Sequence, residues 1–145
     1  MMYDILIQQM RDEVTRVGAR ELRTPEEVDT AIPALKGTTL VVVNSVCGCA
    51  AGIARPALAK AMHHPVRPDN VVTVFAGQDK EATARARSWF GNLPPSSPSF
   101  GLMREGKLLE MVHRHQIEGR PVDHVAQTLI EVFERHCSTS QQKSA

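Results

Sequence analysis

The run Val41-Val42-Val43-Asn44-Ser45-Val46-Cys47-Gly48-Cys49-Ala50-Ala51-Gly52 constrains this chain more than any other stretch. Its near-continuous apolar, β-branched start predicts a central parallel strand over about Thr39–Val43, covered on both faces. The small residues after Cys49 then continue at helical spacing. A buried strand thus delivers two thiols to the first turn of a helix. Residues i and i+2 of a regular helix point about 200° apart around its axis. A disulfide needs Cα atoms roughly 4.4–6.8 Å apart with converging Cβ vectors. Bonding between Cys47 and Cys49 therefore requires a curled turn before the helix proper, and Gly48 is expected to supply the positive or otherwise restricted φ of that turn.

Loop-closure entropy scarcely separates this spacing from Cys-x-x-Cys, at roughly 1.6 against 1.9 kcal/mol. Strain in the small ring does separate them, and strained disulfides exchange readily. The helix dipole favours a thiolate by only about 0.3–1 kcal/mol, so N–H···S⁻ hydrogen bonds must supply any larger effect. Cys47 stands outside the helix end, with the N–H groups of Cys49 and Ala50 in reach, and is the expected nucleophile. Cys49, one step inward, is the expected resolving thiol.

The remaining composition narrows the function classes. A 145-residue chain is long enough to bury a sizeable core. A net charge of +1, no dense Lys/Arg block and 4% aromatics argue against nucleic acid as a partner. No apolar run approaches the ~20 residues that span a bilayer. The start, Met1-Met2-Tyr3-Asp4-Ile5-Leu6, lacks the pattern of a signal peptide. A cytoplasmic protein with no membrane partner is expected, and there a close cysteine pair is redox-active or metal-binding rather than a staple. A closed zinc site needs about four ligands. No second cysteine pair exists, and His63 and His64 lie a helix length away, so no metal site is assigned.

In chain order, Leu6, Met10, Val14 and Val17 predict an amphipathic helix over about 3–17, with Gly18 as its stop. Thr24-Pro25-Glu26-Glu27 is a capping box opening a short helix toward Ala31, ended by Pro33. After the first strand, a helix to about Met62 contains Pro56, whose ring should press on the Gly52 carbonyl and kink it. Asn70–Phe75 is a second strand, completing a right-handed βαβ unit. A helix follows from the N-cap Asp79 to about Phe90. Phe100–Arg104 and Lys107–Val112 then form a hairpin around Glu105-Gly106. The last helix opens at Pro121 and reaches about His136, with Val122, Val125, Leu129 and Val132 or Phe133 inward. Residues 1–137 are read as one domain, with 1–34 a helical extension and 138–145 a disordered polar tail.

This order is the thioredoxin-like α/β arrangement: a central mixed sheet, parallel βαβ plus antiparallel ββα, flanked by helices. The likeness extends to motifs. Asn44 to Gly52 with Ala54-Arg55-Pro56, then Pro94-Pro95-Ser96-Ser97-Pro98-Ser99, then Arg114-His115-Gln116-Ile117-Glu118-Gly119, together resemble the bacilliredoxin family over nearly the whole chain. The resemblance implies an enzyme: a thiol–disulfide oxidoreductase that removes bacillithiol from mixed disulfides on cytosolic proteins. Cys47 would attack, and Cys49 or a second bacillithiol would resolve the adduct. Bacillithiol would be a co-substrate, with no cofactor. The resemblance also implies that Ser97-Pro98 is a cis-proline facing the cysteines, with the backbone before it available to substrate, so Gly48, Ser97 and Pro98 are the expected substrate-binding residues.

Two other activities fit the same residues: a general protein disulfide isomerase or reductase, and a non-catalytic metal- or redox-sensing module. Arg114 and Arg55 are candidates to hold an anionic small thiol. Trp89 is read as packing, and His113 and His115 as structural or solvated. Cys137 is read as a spare thiol, with a second resolving role if its end folds back toward Cys47.

Overall fold

The computed structural model describes residues 1–138. Its elements are α1 (Met2–Thr15), β1 (Arg20–Glu21), α2 (Pro25–Ala34), β2 (Thr38–Asn44), a π-helical turn (Ala50–Ala54), α3 (Arg55–Ala61), β3 (Asn70–Phe75), α4 (Lys80–Ser88), β4 (Ser99–Arg104), β5 (Lys107–Val112), a 3₁₀ turn (Arg114–Gln116) and α5 (Val122–His136). The strands form one sheet in the order β1-β3-β2-β4-β5. β1 and β2 run parallel to β3, whereas β4 is antiparallel to β2 and β5.

β2 is buried at every residue because both faces are covered. Its side chains alternate between two cores, as strand pleating requires. Leu40 and Val42 join Val14, Leu58, Phe100, Leu129 and Phe133 beneath α1, α3 and α5. Val41 and Val43 join Val28, Ile32, Val72, Ala82 and Met103 beneath α2 and α4. In α5, Val132 and Phe133 both face inward.

Local signals held where short-range chemistry decides. Thr24 Oγ1 accepts the Glu27 N–H at 3.1 Å, and the Glu27 carboxylate accepts the Thr24 N–H at 3.1 Å. Glu105 and Gly106, with φ of 47° and 88°, make the hairpin turn. Elsewhere packing changed the outcome. β1 is a strand of two residues within the segment expected to be only helical, and pairing with Val72 and Thr73 creates it. α2 runs past Pro33 to Ala34, because Pro33 sits in the last turn and the Leu35 N–H still reaches Ala31 O at 3.1 Å. Asp79 occupies the N-cap of α4 without capping it, since its carboxylate binds the Arg11 guanidinium at 2.8 and 3.3 Å.

From residue 139 on, the tail read as disordered lies outside the described residues. Among the described residues no helix is long and apolar enough to cross a membrane.

Candidate active site

Asn44 closes β2 and turns the chain. Its Oδ1 accepts the Ser45 N–H at 2.9 Å, and its Nδ2 donates to Met10 O at 3.2 Å, tying the strand end to α1. The Arg55 guanidinium, 5% exposed, reaches the same place from the start of α3. It donates to Asn44 Oδ1 at 2.9 Å and Ser45 O at 2.8 Å, and its Nε pairs with Glu13. Arg55 therefore holds the turn, and is not free to hold a ligand as its sequence position had suggested.

Cys47 begins the helical segment. Its carbonyl accepts the N–H groups of Ala50 and Ala51, each at 3.1 Å, so Cys47 stands at the N-cap position. Serine or aspartate usually fills that place, with a side-chain atom facing the free N–H groups of the first turn. Here a sulfur does. Burial pushes the Cys47 thiol up, but the Ser45 hydroxyl, the N–H groups of Ala50 and Cys49, and the Arg114 charge together outweigh it and hold the thiol below its ordinary value. The thiol is half-buried, as is that of Cys49 in the first turn, and both are free.

Gly48 differs from expectation. It lies outside the positive-φ region, and a Cβ built on it would meet nothing within 4 Å. Gly48 and Cys49 take helical backbone and need no positive φ; the residue before them, Cys47, is the N-cap, so the curl that a Cys47–Cys49 bond requires falls there, and what Gly48 leaves is open space at its own position. The Pro56 irregularity takes a definite form. Ala50–Ala54 is a π turn in which the Arg55 N–H reaches Ala50 O. A proline ring clashes with the carbonyl four residues back, here that of Gly52, and the wider turn relieves that contact.

Opposite this turn, the Ser97–Pro98 peptide is cis. Pairing of Val43 with Ser99 puts Pro98 beside the end of β2, where it lines a crevice with Asn44, Ala54 and Arg55. Ser96 serves its own loop: its Oγ accepts the Arg114 N–H at 3.3 Å, and its carbonyl accepts Ser99 Oγ at 2.9 Å and Arg87 Nη2 at 3.3 Å. Among the described residues the Ser97 hydroxyl has no protein partner. Arg114 enters from the 3₁₀ turn after β5. It donates to Ser97 O at 3.0 Å and to Glu118 at 3.0 Å, with Nη2 3.8 Å from Cys49 Sγ.

Cys137 and Trp89 lie away from this place, and His113 and His115 flank Arg114 with no hydrogen bond to either thiol among the described residues. β4 is antiparallel to β2, with Arg104 opposite Thr38 at the strand's far end. Arg104 Nη2 donates to His136 O at 2.6 Å, so Cys137, next in sequence, lies about 20 Å away across the seven-residue strand. Its sulfur packs against the core instead. The rings of His113 and His115 stack on each other at 5.4 Å, and Trp89 Nε1 donates to Asp29 at 3.2 Å. No three His, Cys, Asp or Glu residues converge on one point among the described residues.

Sequence reasoning missed Ser45 as a partner of the nucleophile. Its signal was local: a hydroxyl residue two positions before an N-cap is placed to meet it.

A family model described as disulphide isomerase matches residues 2–137. A bacilliredoxin of Geobacillus kaustophilus is 57% identical over 136 residues, 94% of this chain and 93% of that relative. A bacilliredoxin of Staphylococcus aureus is 53% identical over 132 residues, 91% of this chain and 90% of its own. The chain belongs to the bacilliredoxin family. As a bacilliredoxin-family protein it is a thiol–disulfide oxidoreductase. Solved structures place its fold: Fasciola hepatica thioredoxin matches with a TM-score of 0.57 at 23% identity, covering 81% of this chain and 98% of that one. Plasmodium falciparum thioredoxin matches at 0.55 and 15% identity, covering 81% and 97%.

Proposed function

We propose that this protein reduces mixed disulfides between bacillithiol and cysteines of cytoplasmic proteins. The observation that carries this reading is the Cys47 thiol at an N-cap, bonded by backbone N–H groups, with Cys49 two residues on in the first turn. The name of the relatives supports the choice of small thiol.

The Cys47 thiolate attacks the bacillithiol sulfur of the mixed disulfide. A new S–S bond forms on Cys47, the old one breaks, and the target cysteine leaves as a thiolate that takes a proton from water. The Cys49 thiolate then attacks Cys47 Sγ and expels bacillithiol. The target is reduced by two electrons, and the Cys47–Cys49 pair is oxidised by two. A second thiol reductant restores the dithiol. Gly48 leaves the approach open, and Ser97 with the cis Pro98 forms the facing wall. Bacillithiol is a co-substrate and no cofactor takes part.

Exchange rates measured with a bacillithiolated protein and with a protein–protein disulfide test the reading. Faster exchange with the bacillithiolated protein is expected. Preference for the protein disulfide would make the chain a general disulfide reductase or isomerase.

A further inference from the structure

Arg114 combines an unusual set of contacts. Its guanidinium touches Glu118 through Nε, the Ser97 carbonyl through Nη1 and the Cys49 sulfur through Nη2. A guanidinium carries five N–H donors in a rigid fork. Two of them therefore have no protein acceptor among the described residues. The group is partly open to solvent, with 39% of its side chain exposed, yet the Ser97 carbonyl pins it beside both reacting sulfurs.

The Ser97 carbonyl belongs to the backbone just before the cis proline, the segment expected to meet substrate. With Arg114 bound to it, that backbone presents cationic donors as well as a carbonyl. Arg55 sits nearby but is buried, its side chain 4% exposed, with Nε on Glu13 and Nη1 on Asn44 and Ser45. Arg87 reaches the loop only at the Ser96 carbonyl, 3.3 Å away. Arg114 is thus the cation that faces the approach to the thiols.

We propose that Arg114 forms an anion subsite that receives a carboxylate of the small thiol in the mixed disulfide, and so sets the preference for carboxylate-bearing thiols over neutral ones. This rests on the mixed-disulfide reductase reading above. Fork-shaped donors suit a planar carboxylate. The subsite acts on the thiol donor and not on the protein half of the substrate, because it lies beside the Cys47-Gly48-Cys49 turn where the small thiol becomes attached. Glu118 opposes it: its carboxylate holds one edge of the fork and repels an incoming anion.

The test uses the full chain and one cysteine-containing peptide carrying a mixed disulfide with either 3-mercaptopropionate or its neutral amide. Release of the peptide thiol is followed at low ionic strength. Wild type should react about threefold to fivefold faster with the carboxylate probe, the range of an exposed charge contact. Arg114→Gln should bring the ratio near one, Arg114→Lys should keep part of it, and Glu118→Gln should raise it. Added salt should erode the wild-type ratio through screening. Because the ratio compares two probes on the same variant, a general loss of thiolate reactivity or folding cancels. Equal rates for wild type, or a ratio unchanged in Arg114→Gln, would overturn the subsite while leaving the reductase reading intact. Reaction with neither probe would overturn the subsite, and failure with a bacillithiolated peptide as well would overturn both.

Discussion

Cys47 donates its backbone N–H to the Ser45 hydroxyl at 3.3 Å, and the same hydroxyl hydrogen-bonds the Cys47 sulfur. The nucleophile is thus set between a side-chain donor and the N–H groups of a helix start. Each support is separable by mutation.

Replacing Ser45 by alanine should move the Cys47 thiol upward and slow its alkylation at neutral pH by roughly threefold to tenfold, since one hydrogen bond to the charged form is lost. The pH dependence of iodoacetamide alkylation measures this. An unchanged profile would mean that the N–H groups of Cys49 and Ala50 suffice.

The lowered Cys47 thiol also predicts a pH-dependent stability. The unfolded chain holds its proton to higher pH than the folded chain does, so ionisation favours the folded state. This contribution is complete above the unfolded thiol's ordinary value and is lost as pH falls through the folded one. Urea denaturation of reduced wild type and of Cys47→Ser should therefore show a gap that widens in favour of wild type as pH rises through that window.

Arg55→Met should cost about 1–3 kcal/mol, because it strips buried Ser45 O of its donor and leaves Asn44 Oδ1 only the Ser45 N–H. Urea midpoints test this. Exchange should also slow in the folded variant, as the turn that presents Ser45 loosens.

The strand β2, the capping box at Thr24 and the hairpin turn were legible because each depends on neighbours in sequence: a valine run, a Thr/Glu pair, a Glu-Gly. The position of Cys47 relative to the first helical N–H groups was legible for the same reason. β1 was not, since Arg20-Glu21 has no strand pattern and exists only by pairing with β3. Nor was the burial of Arg55, which depends on Glu13 arriving from a helix 42 residues earlier. The sequence predicts a conformational need for Gly48, whereas its backbone is helical and what it contributes is the open space at its position.

Gly48→Ala should stabilise the protein by about 0.5–1 kcal/mol, because alanine fits helical backbone with less entropy to lose. Thermal melts of the reduced forms measure it. Destabilisation would restore a conformational demand for glycine at this site.

Cys137→Ser should leave exchange rates within error of wild type, as Cys137 lies at the far end of β2 from Cys47. Peptide mass mapping after oxidation should find no Cys47–Cys137 bridge. Finding one would require the α5 end to leave the core it packs against.

The division of labour between the two active-site thiols is tested most directly by mixing Cys49→Ser protein with a bacillithiolated substrate and weighing the intact product. The expected result is one bacillithiol held as a disulfide on Cys47, with the target cysteine released reduced. No adduct on that variant, together with undiminished transfer by Cys47→Ser, would contradict the account.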